Sequence, residues 1–221
     1  MHIQTDTTPV VSDDAQSDDA AALAVRHRLG AALRDLQHHV VGRALDNATL
    51  TGIAQQLEEL SRNLDPLPPR RRPPSSWSSY EDTAVPEDGE TLDAGYGDRP
   101  FGGWSSPYSL ELDIVRRGDS VVTEFTLRPA HEGAPGRAHG GIIAAMFDDL
   151  TGFVLQIASA RAYTGELKVR YEAPVPLGAK LTARAYLRNR EGRKLFIDGD
   201  LHHGEHRLAT VQTIYITASD I

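Results

Sequence analysis

Residues 136–153 read GRAHGGIIAAMFDDLTGF, and the reading of this stretch decides the fold. From Gly140 to about residue 158 the chain is almost continuously apolar and is opened by His-Gly-Gly. That is too long for an ordinary strand and predicts one helix, apolar nearly all round, which must be covered on most of its surface. Two adjacent carboxylates, Asp148 and Asp149, stand about two turns into it, where an acid without a partner is costly.

The flanking segments supply the cover. LELDIV (110–115) and VVTEFTLRP (121–129) alternate apolar and polar residues around the turn RRGDS, as a half-buried hairpin does. Downstream, GELKVRYEAP, KLTARAYLRN, KLFIDGDLHH and RLATVQTIYIT are strand-like, and their connections PLGA, REGR and GEH are too short for parallel crossovers. Two strands, a buried helix and four mostly antiparallel strands predict an α+β domain over residues 101–221 whose sheet wraps a central helix.

The first hundred residues are of another character. Residues 1–20 carry Asp6, Asp13, Asp14, Asp18 and Asp19 with little apolar surface, and are expected to be a mobile acidic tail. Residues 21–66 read as a helix pair. Val25, Leu29, Leu33, Leu36 and Val40 mark one face, and Leu50, Ile53, Ala54, Leu57, Leu60 and Leu64 another, with Asn47, Thr49 and Thr51 as candidate caps. Clustered prolines open a Pro/Gly-rich linker over residues 67–100. Its Arg70, Arg71 and Arg72 read as solvated, and Trp77, Tyr80 and Trp104 are candidates for packing it down.

Composition removes several function classes. With 31 acidic against 23 basic residues the chain lacks the basic surface of a general nucleic-acid binder, so a polyanionic ligand needs a local basic patch. The absence of cysteine excludes disulfides, thiolate metal sites and cysteine nucleophiles. No secretory pattern opens the sequence, and no apolar run is expected to be long enough to span a bilayer, the best candidate, 140–160, being broken by Asp148 and Asp149. A cytoplasmic protein without a membrane partner is expected. G-x-S-x-G, P-loop and dinucleotide-binding patterns are missing. His202, His203 and His206 straddle a strand end and a turn with only Glu205 nearby, so no metal is expected. His38 and His39 cannot both face one ligand and read as surface.

On a helix Asp148 and Asp149 lie about 100° apart, so if one faces the sheet the other points to a flank. One can accept backbone N–H groups from a loop while the other is solvated at an edge. His139, Gly140 and Gly141 at the helix start bring unpaired amides and the positive end of the helix dipole to one place, where a carbonyl oxygen gaining charge is stabilised. Gly141 and Asp148 are separated by roughly 10 Å of helix. A donor and a carboxylate that each stand about 3 Å from one reacting carbonyl cannot be so far apart. If both act on one group, they come from two subunits of a two-fold homodimer.

HGGIIAAMFDD, with Asp148 tenth from His139, together with TGELKVRYEAPVPLG and the EGRK turn, resembles the hotdog-fold acyl-CoA thioesterases of the PaaI type and their THEM4-like relatives, over about residues 107–217. The resemblance implies a hotdog fold with an N-terminal helical extension, and hydrolysis of an acyl-CoA or acyl-carrier thioester. It implies Asp148 as nucleophile or general base, His139 positioning the thioester carbonyl, and the Gly141 amide, with Gly140, as oxyanion donor. Thr164 falls where relatives carry a hydroxyl that orients water. Gly133 stands where some members carry an Asn. Coenzyme A enters as part of the substrate and no cofactor is implied. Arg188, Arg190, Arg193 and Lys194 are either a clamp for its phosphates or a solvated turn. The assembly expected is a homodimer or a dimer of dimers. The other reading is a hotdog protein that binds an acyl thioester or apolar ligand without hydrolysing it, with the helix pair facing a partner.

Overall fold

The computed structural model describes residues 13–69, 84–92 and 99–218. Residues 1–12 of the expected tail, and the linker arginines with Trp77 and Tyr80, lie outside the described residues. The elements are helices α1 (Asp13–Gly42) and α2 (Asn47–Leu64), strands β1 (Asp113–Arg117) and β2 (Ser120–Thr126), and a 3-10 turn, Pro129–His131. Helix α3 (Gly140–Ile157) and strands β3 (Ala162–Tyr171), β4 (Lys180–Glu191), β5 (Lys194–His203) and β6 (His206–Thr217) complete the chain.

The six strands form one sheet in the order β1-β2-β4-β5-β6-β3, and every paired neighbour is antiparallel. Between β2 and β3 the chain runs through α3 and returns on the far edge, so the helix lies across one face of the sheet. That is the hotdog arrangement expected from the sequence. Ile143, Met146, Phe147, Leu150, Phe153 and Val154 of α3 are buried among inward residues such as Val121, Leu181, Ile197 and Val211. Inward Gly199 is fixed by its surroundings: a Cβ there would stand 2.6 Å from the Arg184 carbonyl oxygen. By length and composition α3 does reach what a bilayer crossing needs, contrary to the expectation. The sheet buries it, so it is the core helix of this domain.

Several expectations about the N-terminal part change. Helix α1 starts at Asp13, inside the supposed tail, and α2 is capped by Asp46, whose carboxylate accepts the Thr49 amide at 2.8 Å, rather than by Asn47, Thr49 or Thr51. Nor does α1 dock through its apolar stripe. Val25 and Leu29 are exposed, whereas Arg34 is 1% exposed and His38 is buried. Gly30 belongs to the same face, since a Cβ on it would stand 2.8 Å from the Ser105 carbonyl carbon. Every residue of α2 has some exposure, and Leu60 is 61% exposed. Leu92, ahead of the expected domain start at 101, lies in the core, and Thr91 bridges to Val115 of β1.

Candidate active site

His139 caps α3. Its Nδ1 accepts the Gly141 amide at 3.0 Å, which satisfies one of the donors a helix start leaves open. The Gly141 N–H expected to face a substrate is therefore engaged by the capping imidazole in the single chain. The Gly140 amide has no acceptor among the described residues, while its carbonyl accepts the Tyr171 hydroxyl at 2.8 Å. Gly133 has a steric reason to lack a side chain, because a Cβ there would lie 2.8 Å from His139 Cα.

Two turns on, the carboxylates part company as their angular offset requires. Asp148 is exposed, and its Oδ1 accepts Thr164 Oγ1 at 3.0 Å. Thr164 is the last residue of β3 in register before a shift at Gly165, and irregularities of that kind re-aim a side chain. The backbone of Asp148 is held from below. Its carbonyl accepts the hydroxyl of buried Tyr215 at 3.1 Å and that of Thr151 at 3.2 Å. Burial pushes the Tyr215 phenol up to about 12, so it stays a donor at neutral pH.

Asp149 turns to the side and accepts the amides of Phe101 (3.0 Å) and Gly102, with Arg99 Nη2 3.5 Å from its other oxygen. Burial raises its pKa, against the opposing pull of the Arg99 guanidinium and the two amides. Between the two carboxylates lies a cavity of about 420 Å³, lined by Arg99, Pro100, Phe101, Ala145, Gly152, Leu155, Ala162, Tyr163, Thr164 and Tyr215 as well as Asp148 and Asp149. Small residues at 145 and 152 leave room against the helix.

The basic turn divides. Arg188 pairs with Asp198 at 3.1 Å over the Phe196 ring, and Arg193 donates to the Thr217 carbonyl at 3.0 and 3.3 Å. The side chains of Arg190 and Lys194 have no protein partner among the described residues. Lys194 pairs with Ile216, which pairs with Tyr163 beside Thr164, so this turn lies two strand spacings, about 10 Å, from the carboxylate site.

Among the described residues no three His, Asp or Glu side chains converge on a possible metal position, and His202 pairs with Asp200 at 3.1 Å. The surface reading of His38 is corrected. It is buried, its Nδ1 accepts the Ala130 amide at 3.1 Å, and its ring meets that of His131 edge-on at 4.7 Å. Arg99 and Tyr215 are among the lining residues that the sequence did not single out. Alternation through Ala209, Val211 and Thr213 marks Tyr215 as inward, whereas nothing in the linker composition singles out Arg99.

Comparison with known proteins adds the following. Residues 135–210 match the family model of the thioesterase superfamily. The acyl-coenzyme A thioesterase THEM4 of Xenopus laevis is 35% identical over 94 residues, 42% of this chain and 42% of that protein. THEM4 of Bos taurus is 28% identical over 121 residues, 54% of this chain and 48% of that protein. The chain thus spans under half the length of these curated relatives. A solved thioesterase superfamily protein superimposes with a TM-score of 0.71 at 23% identity, over 86% of this chain and 94% of that one, a likeness in fold.

Proposed function

We propose that this chain, whose residues 135–210 match the thioesterase superfamily, hydrolyses acyl-coenzyme A thioesters with Asp148 as its catalytic carboxylate. The observation that carries this reading is the Asp148–Thr164 pair at the cavity mouth. Thr164 donates to one carboxylate oxygen, which fixes the group and leaves the other oxygen to take a proton from water. The water oxygen attacks the thioester carbonyl carbon. Charge gathers on the carbonyl oxygen, and the carbon–sulfur bond then breaks as Asp148 returns its proton to the departing sulfur, releasing acid and thiol and regenerating the carboxylate.

The oxyanion is stabilised by the amides at the α3 start of a second subunit, Gly140 first and Gly141 when His139 turns away. A homodimer is supported by strand β3, a ten-residue edge of the sheet whose side chains are mostly exposed and whose open backbone groups invite pairing. Arg190 and Lys194 meet the phosphates of coenzyme A, with Arg193 beside them.

The reading is tested by incubating acyl-coenzyme A with the protein in heavy-oxygen water for a single turnover. Labelled free acid with an unlabelled Asp148 is expected. Label in Asp148 would make it the nucleophile. Binding of the thioester without release of acid would favour the non-hydrolytic alternative.

A further inference from the structure

The cavity beside Asp148 is closed on one side by backbone, and that backbone is tied at two places. At one end the Asp149 carboxylate accepts the amides of Phe101 and Gly102. It also faces Arg99, whose guanidinium lies over the Phe153 ring at 4.9 Å. At the other end Arg34 of α1 donates through one nitrogen to the carbonyls of Trp104 (2.9 Å) and Ser106 (2.7 Å), and through another to Glu111 at 3.1 Å. Gln37, one turn on, holds the Pro107 carbonyl at 3.1 Å.

The segment between these ties is braced internally. Ser106 Oγ donates to the Pro100 carbonyl at 2.7 Å, and the Leu110 amide donates to the Phe101 carbonyl at 2.9 Å. A movement at 104–106 is therefore transmitted to 99–101, the stretch that walls the cavity. Gly152 belongs to the same design, because a Cβ there would stand 3.1 Å from Arg99 Nη2 and displace it. Buried Arg34 has no contact with the cavity and Asp149 has no place in the chemistry, yet together they fix where its wall stands.

We propose that Arg34 and Asp149 are positioning residues for substrate selection, holding residues 99–107 as a strap that limits the length of acyl group admitted beside Asp148. This rests on the reading of that cavity as the acyl site of a thioesterase. Releasing either tie lets the strap move outward and admits longer chains. Helix α1 thereby acts on specificity through the strap alone.

The test uses S-alkyl-coenzyme A thioethers of increasing chain length, which bind but cannot be hydrolysed. Their affinity is measured by calorimetry on the full chain, alongside kcat/KM for the matching thioesters. For the wild type, affinity is expected to rise with length and then break off. In Asp149→Ala and Arg34→Met the break moves to longer chains, with about a tenfold gain for the longest, the scale on which a hydrophobic pocket discriminates by size. Asp149→Asn, whose amide carbonyl still accepts the two N–H groups, restores the wild-type cut-off, and fast hydrogen exchange at Phe101 and Gly102 in Asp149→Ala marks release of the strap. A loss common to all lengths, or a released strap with an unchanged cut-off, would overturn the proposal, as would a wild type that binds no thioether. Should Asp149→Ala not fold, Arg34→Lys reads the same strap from its other end, since one ammonium nitrogen cannot replace both guanidinium nitrogens, one held on the two carbonyls and the other on Glu111. A wild type that shows the length cut-off but no turnover would keep the strap and remove the hydrolytic reading.

Discussion

Thr164 Oγ1 and Asp148 Oδ1 are 3.0 Å apart, joining the first residues of the edge strand to the middle of the core helix. The irregularity at Gly165 and the Tyr215 hydroxyl under the Asp148 carbonyl fix both ends of that bond. A hydrogen bond to a carboxylate contributes about 1.5–3 kcal/mol. Thr164→Val is therefore expected to lower kcat by roughly ten- to a hundredfold with little change in KM, and Thr164→Ser to recover most of it. Steady-state kinetics on one acyl-CoA checks both.

Arg190 and Lys194 reach no protein partner among the described residues, whereas Arg188 and Arg193 are engaged. The double variant Arg190→Ala/Lys194→Ala is expected to raise KM for acyl-CoA about tenfold, with a smaller effect at high salt. KM for an acyl-pantetheine lacking the nucleotide should not move. An unchanged KM for acyl-CoA would assign the turn to solvent, and an equal rise for both substrates would contradict a phosphate contact.

His38 and His131 give a dependence on acid. Burial, with Arg128 close to both, lowers each from 6.5 to about 4. Asp35, Glu111, Arg34 and His39 are the other charged or titratable groups acting on the pair. Both Nδ1 atoms accept backbone amides, from Ala130 and Arg128. As pH falls below 6.5 the unfolded chain takes up these protons first, so stability is expected to decline from about pH 6.5 to about 4. Urea midpoints across that range check it, and His38→Gln, which keeps an acceptor but does not titrate, should flatten the slope.

The wrapped helix and the strands were legible because alternation and a long apolar run report which faces are covered. The split fates of Asp148 and Asp149 followed from their offset on the helix. The docking of α1 was not legible. Apolar periodicity marked Val25 and Leu29, which stay exposed, while the contact is made by Gly30, Arg34 and His38, a polar face whose partners are loop carbonyls and an amide that sequence pattern does not place. Arg99 was hidden for the same reason. The engagement of Gly141 by His139 depends on a side-chain rotamer, which spacing does not determine.

Gly199 offers a test of the core. With Arg184 O at 2.6 Å and Val211 Cγ1 at 3.0 Å from an added Cβ, Gly199→Ala forces β5 away from its neighbours. A loss of about 1–3 kcal/mol is expected, read as a lower urea midpoint at constant m-value. An unchanged midpoint would contradict the packing of β4, β5 and β6.

The central claim is that Asp148 is the group that turns an acyl thioester over. The most direct measurement is release of free thiol from short, medium, long and aromatic acyl-CoAs by the wild type and Asp148→Asn, with the oligomer of each checked by light scattering. Turnover in the wild type and a loss of at least about a thousandfold in an equally assembled mutant is the result predicted. Equal rates in the two proteins would contradict it.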